Sequence, residues 1–141
     1  MRGGVLTVDL RRMRYLINRL PMARFRVDQA MARATRCTAS LTGMPRGGGN
    51  GSQVEQGAEM LAAARGAYQA IRGELEAMRK ELVPYVEALE DPLERSVMRM
   101  RYMDGYSGRE IAYRLTYSER HVFRVLESGE KKVEKMSVMS V

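Results

Sequence analysis

The chain has no tryptophan, one cysteine, one histidine, two phenylalanines and four prolines. A lone thiol at Cys37 can form no intramolecular disulfide, so packing alone must hold the fold, and a reducing compartment, the cytoplasm, is expected. No stretch approaches the roughly 18 consecutive apolar residues needed to cross a bilayer, and Met1-Arg2-Gly3-Gly4 leads into no apolar run of the signal-peptide kind, so no membrane partner is expected. Asn50-Gly51-Ser52 matches a glycosylation acceptor only as a coincidence of loop composition. His121 and Cys37 stand far apart, with none of the three or four ligands in recognisable spacing that a metal requires, and no motif supports a Cys-His nucleophilic pair. Each reads as a buried or capping residue. Neither a metal, a cofactor nor an enzymatic activity is expected.

What is present is 45% hydrophobic and 29% charged residues over 141 positions, enough for a folded core in one ordinary domain or two small ones. The net charge of +7 is unevenly spread. Residues 1–52 hold ten arginines against Asp9 and Asp28, residues 53–90 carry a net −3, and residues 91–141 a net +2. Such an excess attracts polyanions, and it is also the ordinary solvated coat of a helix. The arginines at 11, 12, 14, 19, 24, 26, 33 and 36 are suited either to DNA phosphates or to pairing with Glu59, Glu74, Glu76 and Glu81.

Leu10, Met13, Ile17, Leu20, Val27, Met31 and Ala34 recur at spacings of three and four, a stripe that continues through Thr38 and Leu41 and predicts a helix. Arg24 interrupts it, and Pro21, without an amide donor, predicts a kink or restart near Leu20. Residues 42–52 hold five glycines and a proline and read as a flexible connector, since the phosphate-cradling alternative requires a terminal Gly-Lys-Ser/Thr that is missing. Ser52 with Glu55 then suits a capping box. Val54, Leu61, Tyr68, Leu75, Leu82 and Leu89 follow every seven residues, with Gly57, Ala64, Ile71, Met78 and Tyr85 three later in each heptad. This is the seam of a long helix that Pro84 should kink or end. Two such helices either fold back as an antiparallel hairpin or self-associate, giving a homodimer through the N-terminal helices.

The last fifty residues carry three helix starts: Asp91-Pro92-Leu93-Glu94, the capping box Ser107-Gly108-Arg109-Glu110, and a cap at Ser118. Helices are expected over about 92–103, 108–115 and 119–135, the last two at helix-turn-helix spacing. Ile111, Ala112 and Leu115 face inward from one, and Val122, Leu126, Gly129 and Val133 from the other. Arg120, Arg124 and Glu127 then share an outward face, with Glu119 and Phe123 beside them. Arginine there suits guanine edges or phosphate, and Phe123 either touches a thymine methyl or packs at the core edge. Arg109 and Arg114 are candidate phosphate contacts. Thr116 stands where such turns commonly need a glycine at positive φ, so the turn is either wide or mildly strained.

The run Asp91 to Gly105, Glu110-Ile111-Ala112 and Tyr117-Ser118-Glu119-Arg120-His121-Val122 resembles region four of bacterial sigma factors over about the last 45 residues. With Tyr15-Leu16-Ile17-Asn18-Arg19-Leu20 and Gly43-Met44-Pro45-Arg46-Gly47-Gly48, nearly the whole chain resembles the small phage and prophage regulators of the RinA/ArpU type, associated with phage late-gene transcription. The resemblance implies that the helix entered by Ser118, Glu119, Arg120, His121, Phe123 and Arg124 is a DNA-recognition helix and that double-stranded DNA is the partner; the N-terminal hairpin then either dimerises the protein or contacts the transcription machinery, RNA polymerase. The expected architecture is all-α, with a helical hairpin over 1–90 and a helix-turn-helix unit over 91–141. The rival readings are a small terminase-like DNA-packaging component and a polymerase-binding module without DNA contact.

Overall fold

The computed structural model describes residues 8–43 and 49–139, with the side chains of 37–43 and 49–51 excepted. Those residues form five helices and no strand: α1 (Leu10–Gly43), α2 (Gly49–Glu87), α3 (Pro92–Tyr102), α4 (Gly108–Leu115) and α5 (Glu119–Met139). The fold is all-α. Two compact units divide the chain at Ile17/Asn18 and Glu74/Leu75 rather than near residue 90. One unit joins the start of α1 and the end of α2 to α3, α4 and α5, and the other holds residues 18–74.

The helix ends differ from expectation in the glycine-rich stretch. α1 runs to Gly43 and α2 already begins at Gly49, so the regular part intrudes on the expected connector from both sides; its centre, 44–48, lies outside the described residues. Once a helix is nucleated, each added residue gains a hydrogen bond that offsets the entropic cost of glycine, about 1 kcal/mol. Ser52 accordingly sits inside α2 instead of capping it. Pro21 and Pro84 likewise lie within α1 and α2, which continue past them. Each proline leaves only one carbonyl four residues earlier unmatched.

In the unit of residues 18–74 the two helices pair antiparallel. Gly57 faces Ala34, where a Cβ on the glycine would stand 3.7 Å from the Ala34 Cα, while residues 60–64 lie beside 26–36 and 64–71 beside 18–26. The α2 seam matches its heptads, each heptad position from Val54 to Tyr85 being buried or half-buried, and Leu89, just past the helix end, is buried too. The α1 stripe is corrected by one step. Ala23 and Ala30 are buried while Met31 is 42% exposed, so the seam runs Leu20, Ala23, Val27, Ala30, Ala34. Its steps of three and four pass Arg24 by without a break. Thr38, Leu41 and the expected burial of Cys37 lie outside the described side chains.

The other unit contains the fully buried side chains. Leu10, Met13 and Leu16 of α1, Leu75, Leu82 and Val86 of α2, Val97, Met98 and Tyr102 of α3, Ile111 of α4 and Val122 and Val133 of α5 are all at most 2% exposed. Each contributes about 1.5–3 kcal/mol by leaving water. Asp91 caps α3 by accepting from the Leu93 amide at 2.9 Å, with Pro92 in the first turn. Gly129 brings α5 against α3, since a Cβ there would stand 2.8 Å from the Met98 Cγ.

Buried polar groups tie the same elements. Tyr102 donates to Glu130 Oε2 at 2.5 Å and accepts from Arg14 Nη1 at 2.8 Å, and the Arg79 Nε donates to the Tyr102 carbonyl at 2.6 Å. The Glu94 carboxylate, on a residue 5% exposed, accepts from Ser128 and from the Lys132 ammonium at 2.9 Å. Its hydrogen bonds raise the Lys132 pKa. Burial lowers the Arg79 pKa. At Arg14 burial pulls the same way, but the bond to Tyr102 and the nearby Glu130 and Glu134 charges outweigh it and raise the value.

Burial, then the bond to Glu130, raises the Tyr102 pKa above the ordinary tyrosine value despite the opposing effect of Arg14. The unfolded chain therefore loses this proton first. Stability from this group is complete below about pH 10 and falls as pH rises past it. Tyr102→Phe should cost about 1 kcal/mol at neutral pH, by removing the hydroxyl's bonds to Glu130 and Arg14, yet lose less Tm than the parent as pH rises from about 10 to 11. Equal alkaline losses in thermal melts of the two proteins would contradict this.

Candidate nucleic-acid interface

The connection from α4 to α5 is three residues, Thr116, Tyr117 and Ser118. Its geometry follows from caps on both sides. Ser107 accepts from the Glu110 amide at 3.1 Å while Glu110 accepts from the Ser107 amide at 2.9 Å, completing the expected capping box at the start of α4. At the other end Tyr117 N–H donates to the Ala112 carbonyl at 3.0 Å and Thr116 N–H reaches Tyr113, the paired bonds of a Schellman closure. Thr116 takes the left-handed position that closure needs, with φ 57° and ψ 38°, and is the one non-glycine residue at positive φ among the described residues. Of the two expected outcomes, the strained turn is the one adopted. The Thr116 hydroxyl donates to the Leu115 carbonyl at 2.5 Å. Ser118 then caps α5 by accepting from the His121 amide at 3.1 Å.

The inward residues are as their spacing requires. Ile111, Ala112, Val122, Leu126, Gly129 and Val133 are buried and Leu115 half-buried, so residues 120, 124 and 127 point outward. Arg120 and Arg124 are exposed, and neither makes an ion pair or hydrogen bond among the described residues. Glu127 is engaged instead, with Lys131 at 3.6 Å. Phe123 takes the packing role at the edge of the core while keeping an exposed face. It is 53% exposed, and its ring covers buried Gly108, whose Cβ would fall 2.7 Å from the ring edge. His121 is exposed rather than buried, its ring standing edge-on to Tyr117 with centroids 4.9 Å apart.

The flanking candidates do not all converge. Arg109 Nε pairs with Glu119 Oε2 at 3.3 Å, across the corner between α4 and α5. Both side chains are more than half exposed, so the pair contributes at most about 1 kcal/mol and opens readily. Arg114 lies over the Tyr106 ring at 4.1 Å from its centroid, turned toward the α3–α4 turn rather than toward Arg120. Two residues were not singled out by spacing. Tyr113, 85% exposed, and Tyr117 line a hollow of about 750 Å³ beside Arg109 and Glu119. The legible signal was that 109 and 113, four apart, stand opposite the inward pair 111 and 115 on α4.

Among the described residues no group of three or more His, Cys, Asp or Glu is placed to hold a metal, and no helix is long and apolar enough to cross a membrane. A family model described as "Protein of unknown function (DUF1492)" matches residues 46–134. No curated protein and no solved structure matches the chain.

The left-handed conformation of a β-branched residue at 116 carries a cost of about 1–2 kcal/mol. Thr116→Gly should relieve it, less some tenths for the added freedom of the unfolded chain, and raise stability by about 0.5–1 kcal/mol in urea denaturation. A loss of stability would mean that the Thr116 hydroxyl, not its backbone, dominates the turn.

Proposed function

The chain belongs to the DUF1492 family, and we propose that this member is a sequence-specific double-stranded DNA-binding protein that reads the major groove with the first turns of α5 and regulates transcription of phage or prophage genes. The observation that carries the reading is the pair of exposed guanidiniums, Arg120 and Arg124, free of partners among the described residues on a Ser118-capped helix held by a three-residue turn. One helical turn apart, they match the reach needed for neighbouring base edges, where arginine bonds guanine O6 and N7. The positive N-terminal end of α5 and Arg109, released from Glu119, suit the flanking phosphates. The phage setting rests on the resemblance of residues 15–20, 43–48 and the C-terminal stretch to RinA/ArpU-type regulators.

Selection from a random duplex pool should enrich one site with the parent protein. Arg120→Ala with Arg124→Ala should flatten that preference, each change costing about 1–3 kcal/mol of discrimination, while helical circular dichroism is retained. Weak binding that depends steeply on salt should persist through the other cations. No enriched site, or an unaltered one in the double variant, would defeat the reading.

A further inference from the structure

Two hollows on the helical hairpin of residues 18–74, of about 640 and 180 Å³, share Arg26 and Ala64 and so form one groove between α1 and α2. Ala23 and Ala30 form its floor from α1, both less than 10% exposed, and Ala64 and Ala67 contribute from α2. Met22 and Met60, 54% and 46% exposed, stand at its edges. Two helices cannot close a seam on both sides, and Leu20, Val27, Leu61, Tyr68 and Ile71 remain only half-buried. In the other unit the same heptad series, at Leu75 and Leu82, is sealed to 1% or less.

The groove is also charged on one side. Arg26, Arg33 and Arg36 line it at spacings of seven and three, hence on one face of α1, and no carboxylate lines it among the described residues. All three arginines are exposed, and none has an ion pair or hydrogen bond among the described residues.

We propose that this groove docks an acidic amphipathic helix of a partner protein, with its apolar stripe on the alanine floor and its carboxylates against Arg26, Arg33 and Arg36. Burying a narrow apolar floor between flexible methionine edges is how helices are accepted in grooves. A second copy presenting the same face is disfavoured, because a two-fold contact would set the arginine row against itself. A DNA duplex would satisfy the arginines but leave the apolar floor and both methionines uncovered.

The test uses the full chain and two labelled three-heptad peptides, each with leucine at the a and d positions. One carries glutamate at e and g, the other lysine. Fluorescence anisotropy at about 0.1 M salt should show the glutamate peptide binding at least about tenfold more tightly than the lysine twin, with the difference narrowing at high salt. Arg26→Glu with Arg33→Glu should reverse the preference while leaving helical circular dichroism intact. Should that pair fail to fold, Arg26→Ala with Arg36→Ala should still weaken the glutamate peptide severalfold. Equal binding of the twins, or binding of neither, overturns the proposal. So does a loss of duplex binding with peptide binding unchanged, which would assign the row to phosphates. A change confined to self-association in sedimentation equilibrium would assign it to a second copy.

Discussion

Anything larger than hydrogen at residue 129 would stand 2.8 Å from the Met98 Cγ, so the close approach of α5 to α3 depends on that glycine. The contact fixes the roll of α5 about its own axis. With Gly129 against α3, Val122, Leu126 and Val133 follow inward at steps of three and four, and Arg120 and Arg124 have only solvent to face. The candidate interface is thus the complement of a packing decision made several residues away. The same roll places Ser128 and Lys132 where they meet Glu94, so a carboxylate that is costly to bury has partners.

Most of the architecture was legible because it rests on periodicity and caps, which are local. The heptads of α2, the inward set of α4 and α5, and the starts at Asp91, Ser107 and Ser118 all follow from residues a few positions apart. Where spacing failed, the deciding partner was distant. Ala30 rather than Met31 lies in the α1 seam because a neighbouring helix with Gly57 and Ala64 admits a close approach, favouring small residues over large ones. The interior role of Glu94 was hidden for the same reason. Its position three residues after Asp91 suits a helix start equally well, and only Ser128 and Lys132, more than thirty residues on, distinguish the two.

At the candidate site, spacing located Arg120 and Arg124 but not the state of their neighbours. Arg109, Arg114, Arg120 and Arg124 look alike in sequence. The fold separates them by partner: one ion pair across the corner, one cation over an aromatic ring, and two guanidiniums left over. Thr116 illustrates the converse. Its side chain argues against the left-handed conformation, yet Schellman closure of α4 and a buried Leu126 beyond it require the chain to reverse there.

The unit that carries α3, α4 and α5 also recruits the start of α1, through Arg14 to Tyr102 and Glu130, across 88 and 116 residues of chain. During translation Leu10, Met13 and Leu16 therefore leave the ribosome long before the surfaces that will cover them exist. The hairpin of residues 18–74 can assemble while they wait, because its two arms are adjacent in the chain. The unit of α3, α4 and α5 is consequently the last to be completed, and a chain cut short before α5 would carry a finished hairpin and leave the N-terminal core residues uncovered.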